Sequence, residues 1–315
     1  MSNNIAFVFP GQGSQSIGML AEMAAVDPVV EQTFAEGSDL LGYDLWQLVQ
    51  NGPEADLNRT DKTQPAMLAA GVAMFRVWSN TSGLKPAMMA GHSLGEYTAL
   101  VCAGAMTYAA AIDLVEKRGQ FMQQAVPAGE GAMAAILGLD DEQVRRCCEE
   151  AAEGEIISAV NFNSPGQVVV AGTATAVDRI TGIAKAAGAK RALVLSVSVP
   201  SHCELMRPAA EQMAPLLASV EIATPSVPVI HNADVAAHQG GDEIRDALLR
   251  QLYNPVRWVE SVKHIAGCGI CTLVECGPGK VLAGLNKRID RNMTALPIYD
   301  PASLEKAITT VTGEE

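Results

Sequence analysis

The sequence predicts an α/β protein in which a large domain with a mainly parallel sheet carries an inserted small α+β domain. Three observations support this class. Short apolar runs that end at glycine are followed by helical patterns, which is typical of parallel strands covered by helices. One central stretch has a different order of strands and helices. Hydrophobic residues make up 49% of the 315-residue chain and charged residues 18%, which suits a large core.

The strand-then-helix pattern recurs in the outer parts of the chain. The strands end close to glycine-rich turns such as Pro10-Gly11-Gln12-Gly13 and Gly277-Pro278-Gly279. The predicted strands are Ile5–Phe9, Ala87–Gly91 and Cys271–Glu275. The predicted helices lie around residues 18–36, 64–80, 96–102, 108–125 and 280–289.

The central stretch instead reads strand, helix, strand, strand, helix, strand, which is the split βαβ pattern of ferredoxin-like domains. Its elements are predicted at Ala132–Leu137, Asp141–Ala152, Ile156–Asn161, Gln167–Ala171, Ala174–Ala187 and Arg191–Val197. Turn residues bracket it at Pro127-Ala128-Gly129 and at Pro200. We expect a small domain over 127–198 within a discontinuous large domain over 1–126 and 199–315, with a cleft between them.

Composition and charge argue against several classes of protein. The net charge of −13 does not suit nucleic-acid binding, which needs a basic surface. No apolar run of 18 residues is present, so we expect neither a membrane span nor a membrane partner. The start of the chain does not resemble a signal peptide, and seven cysteines, an odd number, do not suit a disulfide framework. We expect a cytoplasmic protein.

Gly91-His92-Ser93-Leu94-Gly95 fits the G-x-S-x-G pattern of a nucleophile elbow. In such an elbow the serine lies on a sharp turn between a strand and a helix, where side chains larger than glycine at its neighbours would clash. A strand is predicted before Ser93 and a helix after it, as the pattern requires. Ser93 is therefore the candidate nucleophile, and the alternative is an ordinary serine that caps the helix.

His202 is the candidate general base. Ser201-His202-Cys203-Glu204 fits a capping box, which would place His202 in the first turn of a helix. The positive end of that helix would disfavour imidazolium and keep the base neutral. The alternative is a surface histidine at a helix start. No acid stands out by its spacing as the third member of a triad, and a backbone carbonyl could fill that role.

Arg118 falls within the apolar stripe of the helix around 108–125. The other members of the stripe are Ala111, Leu114, Val115, Phe121 and Met122. A buried guanidinium needs a partner, because an unpaired charge is costly inside a protein. Arg118 therefore reaches solvent or pairs with a carboxylate of the protein, or else it binds a substrate carboxylate in bidentate fashion. The pattern leaves both interpretations open.

Two other patterns are weak. Cys268-Gly269-Ile270-Cys271 is a single CxxC with no second pair at the spacing of a zinc site. Gly277-Pro278-Gly279-Lys280 lacks the G-x-x-x-x-G-K-[ST] pattern of a phosphate loop. We therefore expect no metal site and no cofactor.

Six segments, in order along essentially the whole chain, resemble the bacterial malonyl-CoA:acyl carrier protein transacylases. They are FVFPGQGSQ at 7–15, AGHSLGEY at 90–97, KRGQFM at 117–122, NFNSPGQVVVAG at 161–172, VPSHCELM at 199–206 and ECGPGKVL at 275–282. The resemblance implies an α/β-hydrolase-like large domain beside the ferredoxin-like one. It also implies transfer of malonyl from coenzyme A to the phosphopantetheine thiol of acyl carrier protein, in fatty acid biosynthesis.

The resemblance further implies roles for residues around the elbow. Ser93 would form the acyl ester, and His202 would act as its base. The backbone carbonyl of Gln251 would orient the imidazole, which would explain the missing acid. Backbone N–H groups of Gln12 and Leu94 would form the oxyanion hole.

Substrate binding is implied in the same way. Arg118 would bind the malonyl carboxylate, and we expect Gln12 and His92 to contact the substrate as well. The tetrapeptide Val199-Pro200-Ser201-His202 matches neither common form found in polyketide synthase acyltransferases. Malonyl specificity is therefore inferred from the resemblance and not from a decoded pocket.

The carrier protein is expected to be acidic, so a protein with a net charge of −13 needs a local basic surface to receive it. The candidates, called the basic patch below, are Lys190, Arg191, Lys280, Lys287, Arg288 and Arg291. We expect a monomer whose partners are malonyl-CoA and the carrier. Two other functions stay open: a serine hydrolase or thioesterase that uses water as acceptor, and an inactive module that only binds acyl groups or the carrier.

Overall fold

The computed structural model describes residues 4–195 and 199–313, and its strands form two separate sheets. The strands are β1 (Ile5–Phe9), β2 (Met88–Gly91), β3 (Gly131–Leu137), β4 (Ile157–Ser164), β5 (Gln167–Thr173), β6 (Arg191–Val194), β7 (Val229–Ile230), β8 (Thr272–Cys276) and β9 (Thr294–Ile298). The helices are α1 (Ala21–Ala24), α2 (Val29–Leu41), α3 (Leu45–Asn51), α4 (Glu54–Leu57), α5 (Thr60–Ser82), α6 (Gly95–Cys102), α7 (Tyr108–Ala125), α8 (Asp141–Ala152), α9 (Ala174–Ala186), α10 (Arg207–Ser219), α11 (Gly241–Tyr253), α12 (Trp258–Gly267), α13 (Val281–Ile289) and α14 (Pro301–Thr312). The predicted α/β fold class is confirmed.

The first sheet has the order β7-β2-β1-β8-β9, and every described strand pair in it is parallel. Its central strand β1 is buried along its whole length, as an uninterrupted apolar run requires. Phe7 of β1 packs edge-on against Phe75 and Trp78 of α5, with ring centroids 5.8 and 5.3 Å away. Phe9 pairs with Gly91, so the loops that follow β1 and β2 meet at one edge of the sheet.

Sequence patterns do not predict two strands of this sheet. β7 has only two residues, which is too short to show any periodicity. β9 contains Pro297, and a proline normally argues against a strand. The sheet tolerates it because β9 is an edge strand, where one side of the backbone needs no partner.

The helix predicted over residues 18–36 is wrong as a single element. The chain forms α1 and then α2, with Asp27 and Pro28 between them, because the residue before a proline disfavours the helical conformation. Asp27 Oδ1 also accepts a hydrogen bond from the Val29 N–H at 2.9 Å. The helix predicted around 64–80 is confirmed and is longer, Thr60–Ser82. No helix within residues 4–195 and 199–313 is both long enough and apolar enough to cross a membrane.

The second sheet has the order β4-β5-β3-β6 and is antiparallel. With α8 and α9 it forms the predicted ferredoxin-like arrangement, and it has its own apolar core. β6 is described as far as Val194, and its predicted end at Val197 lies outside the described residues. The domain limits at 127 and 198 stay a prediction, although all four strands of this sheet lie between Gly131 and Val194.

The antiparallel sheet is attached to the rest of the chain through β4. The Phe162 N–H donates to the Val256 carbonyl oxygen at 3.0 Å, and the Val256 N–H donates to the Val160 oxygen at 2.8 Å. These bonds pair β4 with the segment between α11 and α12, and so bring the second sheet beside the segments that build the site described next.

Candidate active site

A sharp turn after β2 places Ser93 at the edge of the parallel sheet. β2 ends at Gly91, Ser93 has a positive φ of 51°, and α6 begins at Gly95. The backbone crosses so closely here that a Cβ on Gly91 would lie 1.8 Å from the Gly95 carbonyl carbon, and one on Gly95 would lie 2.1 Å from the Phe9 oxygen. The residue that caps α6 is Leu94, so the alternative in which Ser93 caps the helix is wrong.

Asn232, just after β7, holds this turn from the neighbouring strand. Its Oδ1 accepts a hydrogen bond from the Ser93 N–H at 2.7 Å, and its Nδ2 donates to the Gly91 oxygen at 2.7 Å. Because one buried amide uses both of its ends, the backbone is fixed on either side of His92.

The imidazole of His202 connects Ser93 to the backbone of α11. Nε2 lies 2.7 Å from Ser93 Oγ, and Nδ1 lies 2.7 Å from the Gln251 carbonyl oxygen. A carbonyl oxygen can only accept, so Nδ1 carries the proton and Nε2 accepts the hydroxyl of Ser93. Burial, followed by the positive charge of Arg118, lowers the pKa of His202 to about 3. The imidazole is therefore neutral near physiological pH.

The capping box predicted at Ser201-His202-Cys203-Glu204 is wrong. His202 has a positive φ of 67°, and the first helical turn is the short 3-10 helix Glu204–Met206 that precedes α10. The His202 N–H donates to the Leu252 oxygen at 3.1 Å, which holds the chain in this turn. The Glu204 carboxylate instead pairs with Arg207 at 2.8 Å. The neutrality of His202 therefore comes from burial and a nearby positive charge, and not from the end of a helix.

Arg118 reaches from α7 to Ser93. The residue is 1% exposed, so the interpretation in which it reaches solvent is wrong. Nη1 donates to Gln64 Oε1 at 2.8 Å, and Nη2 donates to Gln251 Oε1 at 2.9 Å and lies 3.4 Å from Ser93 Oγ. Among the residues that the structure describes, no carboxylate hydrogen-bonds to Arg118 or forms an ion pair with it, so the internal ion pair is wrong as well.

The guanidinium of Arg118 is thus held in place without being neutralised. Burial lowers its pKa, because the charged form loses hydration that two neutral amides only partly replace. The carbon of the guanidinium lies 5.7 Å from the ring centroid of Tyr97, and the buried Nε has no hydrogen-bond partner in the described part of the chain. A substrate carboxylate placed here would neutralise this charge beside Ser93.

A cavity of about 110 Å³ opens beside Ser93 and matches the predicted cleft. One wall is formed by Met133, Asn161 and Leu195, which belong to the β3, β4 and β6 segments of the ferredoxin-like part. The rest of the lining, from the outer parts of the chain, is Gln12, His92, Ser93, Leu94, Arg118, Met122, Val199, Ser201 and His202. The cavity therefore brings together the two parts that the sequence separates.

The remaining predicted site residues, Gln12, His92 and Leu94, all line this cavity. His92 Nε2 lies 2.8 Å from Asn163 Oδ1, and its ring packs on Trp258 with centroids 5.6 Å apart. Burial lowers the pKa of His92. Gln12 and Leu94 belong to the segments that follow β1 and β2, which adjoin at one edge of the sheet.

All six residues of the basic patch are exposed. The register of the antiparallel sheet aligns Gln167, Leu137 and Arg191 across three strands. Arg288 Nη1 donates to Gln167 Oε1 at 2.9 Å. Two separate segments of the basic patch therefore meet at the same end of that sheet.

The single CxxC segment lies at the surface. Cys268 and Cys271 are both free and exposed, and β8 begins one residue later than predicted, at Thr272. Across residues 4–195 and 199–313, no group of three or more His, Cys, Asp or Glu side chains could hold a metal ion.

Three polar residues around the site have no sequence prediction: Gln64, Glu96 and Asn232. All are at most 1% exposed. Each forms a hydrogen bond with a predicted site residue: Gln64 with Arg118, Glu96 with Gln251, and Asn232 with Ser93. Gln64 could have been found, because it is a polar residue at the start of an apolar run in α5. Glu96 directly follows the elbow motif, and Asn232 belongs to no sequence pattern.

Comparison with known proteins places the chain in a family. The acyl transferase domain family matches residues 6–298. The malonyl CoA-acyl carrier protein transacylase of Escherichia coli strain K12 is 60% identical over 303 residues, which cover 96% of this chain and 98% of that protein. The solved structure of the same transacylase from Coxiella burnetii has a TM-score of 0.97 at 53% identity, over 98% of both chains. A malonyl-transacylase solved in complex with a type II PKS acyl-carrier protein has a TM-score of 0.96 at 58% identity, over 97% of this chain and 99% of that one. The chain therefore belongs to the acyl transferase family and, within it, to the malonyl CoA-acyl carrier protein transacylases.

Proposed function

We propose that the protein moves a malonyl group from coenzyme A to the phosphopantetheine thiol of an acyl carrier protein, through an ester on Ser93, and so supplies fatty acid biosynthesis. The position of Arg118 is the observation that supports this most directly. Nη2 of its buried guanidinium lies 3.4 Å from Ser93 Oγ, and the guanidinium is held by the neutral side-chain amides of Gln64 and Gln251. It can therefore pair with the free carboxylate of an acyl group whose thioester carbon faces Ser93.

In the first half-reaction Ser93 Oγ bonds to the thioester carbon, and His202 Nε2 takes the hydroxyl proton. Backbone N–H groups of Gln12 and Leu94 stabilise the negative charge that develops on the carbonyl oxygen. The carbon–sulfur bond then breaks, the imidazolium returns its proton to the coenzyme A sulfur, and the malonyl group stays on Ser93. The Gln251 carbonyl keeps the other proton on Nδ1, so that the ring stays aligned.

In the second half-reaction the carrier thiol attacks the malonyl ester. His202 takes the thiol proton and then gives it to Ser93 Oγ as the ester bond breaks, which regenerates the free enzyme. Because coenzyme A leaves before the carrier thiol reacts, the kinetics are ping-pong.

The charge of Arg118 selects the acyl group. A malonyl carboxylate neutralises the guanidinium, whereas an acetyl group would displace solvent and leave the buried charge unpaired. By analogy with unpaired buried polar groups, this difference is worth roughly several kcal/mol.

The basic patch is the proposed docking surface for the carrier. Arg191 on β6 lies four residues before Leu195, which lines the cavity, so the two are about 13 Å apart along an extended strand. An extended phosphopantetheine arm could run from the patch to Ser93 beside this strand.

Every proton transfer above uses a side chain or backbone group of the chain, so we propose no metal or redox cofactor. We propose a cytoplasmic monomer without nucleic-acid or membrane partners.

Intact-mass measurement of the acyl-enzyme tests this function. We expect malonyl-CoA to add one malonyl group, the ester to persist in buffer, and a carrier with its phosphopantetheine thiol to remove it. Ser93→Ala is the control and should show no added mass. Rapid loss of the ester in buffer would indicate a hydrolase, and no mass shift would indicate a module that only binds.

The docking surface is tested by the double variant Lys287→Glu with Arg288→Glu. In the transfer step of the same assay it should raise the KM for the carrier and leave the KM for malonyl-CoA unchanged. An unchanged KM for the carrier would refute the docking surface.

A further inference from the structure

A buried carboxyl group, that of Glu96, lies next to the elbow at the start of α6. It stands in the first turn of α6, three residues after Ser93, and it is fully buried. Oε1 lies 2.7 Å from His231 Nδ1, and Oε2 accepts hydrogen bonds from the Asn232 N–H and from Gln251 Nε2, both at 2.9 Å. The reaction scheme above gives Glu96 no part, yet Glu96 and Arg118 both form hydrogen bonds with the side chain of Gln251.

The contact with Glu96 is one of three hydrogen bonds that fix which way the Gln251 amide faces. Glu96 Oε2 already accepts the Asn232 N–H, so it is the NH₂ end of Gln251 that meets this oxygen. The same Nε2 donates to the backbone carbonyl oxygen of Ser93 at 2.9 Å, and Oε1 therefore points the other way, where it accepts from Arg118 Nη2 at 2.9 Å. A reversed amide would present an oxygen to the carboxylate and donors to the guanidinium, and would lose these bonds.

We propose that Glu96 is a positioning residue for acyl-group selection, which orients the Gln251 side chain and thereby sets the Arg118 guanidinium where the substrate carboxylate binds. This rests on the proposed function. The backbone carbonyl of Gln251 orients His202 whichever way the side-chain amide faces. Glu96 therefore acts on the preference for carboxylated acyl groups more than on the Ser93–His202 pair.

The competing explanation is a purely structural role. Glu96 also ties α6 to the segment after β7, through His231 and the Asn232 backbone, and Asn232 in turn holds Ser93. If this were its only role, losing the carboxylate would loosen the elbow and slow every acyl group alike. His231 separates the two explanations, because it is as buried as Glu96 and bonds to it, but no hydrogen bond in the described residues joins it to Gln251.

The test compares acylation of Ser93 by malonyl-CoA and by acetyl-CoA in the full chain, with intact mass as the readout. Glu96→Gln keeps the shape of the side chain but can offer either amide end to Gln251. Glu96→Asp keeps the carboxyl group and withdraws it by about 1.5 Å, one carbon–carbon bond. In both variants we expect kcat/KM for malonyl-CoA to fall about tenfold or more, and that for acetyl-CoA to change by less than about threefold.

His231→Asn is the matched control, because its amide nitrogen keeps a donor near the position of Nδ1. It should leave the malonyl-to-acetyl ratio within about twofold of wild type, whatever it does to stability. An equal loss of both substrates in folded Glu96 variants would overturn the inference, as would a similar loss of selectivity in His231→Asn. If neither Glu96 variant folds by circular dichroism, the structural explanation stands and the inference is withdrawn. A wild-type protein that forms no malonyl ester would refute the proposed function itself. An intact wild-type ester with unchanged selectivity in the Glu96 variants would remove this inference alone.

Discussion

Ser93 and His202 are held in place by different means. Ser93 takes its position mainly from its own neighbours, in a five-residue turn whose glycines let β2, α6 and β1 approach closely, and Asn232 adds a hydrogen bond from a distant segment. His202 is fixed by a carbonyl 49 residues further along the chain, and Arg118 by amides 54 and 133 residues away. A short sequence motif can therefore specify the nucleophile, whereas the base and the selective charge depend on the assembled fold.

Disrupting the turn that positions Ser93 should have the largest effect on stability and activity. Gly95→Ala would place a Cβ 2.1 Å from the Phe9 carbonyl oxygen, a backbone atom of the central strand that cannot move aside. We expect the free energy of unfolding to fall by about 3 kcal/mol or more, and acylation of Ser93 to be lost. Urea unfolding measures the first effect, and intact mass after incubation with malonyl-CoA measures the second.

Gly284→Ala in α13 is the control for this substitution. Apart from the backbone of α13 itself, no atom of the described residues lies within 4 Å of its added Cβ, so we expect it to stabilise the protein. The gain should be about 0.5–1 kcal/mol, because alanine loses less entropy in a helix than glycine does. A Gly95→Ala variant as stable as wild type would show that the crossing at the elbow is not the constraint that fixes Ser93.

The same difference explains which parts of the site the sequence could predict. The elbow was predictable because its determinants lie within five residues. The apolar stripe of its helix singled out Arg118 but left open whether the side chain reaches solvent. Its partners could not be predicted, since Gln64 and Gln251 are distant in sequence. The capping box at 201–204 failed because a local S-x-x-E match says nothing of the contact with Leu252 that turns the chain at His202.

The fold shows the same limit. The short apolar runs within β1, β2 and β8 are visible in the sequence, because strands buried on both faces have few polar positions. β7 pairs with β2 through only two residues, and nothing local predicts it. Asn232 follows this short strand, so missing β7 also meant missing the side chain that holds the backbone of Ser93.

Removing the selective charge should have the next largest effect. Arg118→Ala leaves Ser93 and His202 in place but removes the partner of the substrate carboxylate. We expect kcat/KM for malonyl-CoA to fall by about a hundredfold or more, with a much smaller loss for acetyl-CoA. Arg118→Lys should be intermediate, because an ammonium keeps the charge but cannot bridge two amides and a carboxylate. Equal losses with both thioesters, measured from acylation rates, would refute the carboxylate clamp.

The smallest expected effect is on the pH profile of acylation. It tests whether the distant contacts that bury His202 keep its imidazole neutral. Burial first, and then the charge of Arg118, lowers the pKa of His202 to about 3. An ordinary histidine has a pKa of about 6.5. With acetyl-CoA, whose acyl group does not titrate, we expect kcat/KM to show no loss as the pH passes through this value. Arg118→Gln removes a positive charge beside the imidazole, so the acid limb should move to higher pH. It should still stay below about 6.5, because burial remains.

The sign of the effect on stability decides how this profile must be measured. The folded-state pKa of His202 lies below the unfolded value, so as the pH falls below about 6.5 the unfolded chain takes up a proton that the folded protein does not. Acid therefore destabilises the fold over the range in which the rate should stay flat, and circular dichroism at each pH must separate unfolding from loss of the base. A wild-type rate that falls near pH 6.5 while the protein stays folded would mean that His202 is hydrated during catalysis. In that case the distant contacts that bury it would not be what keeps the base neutral.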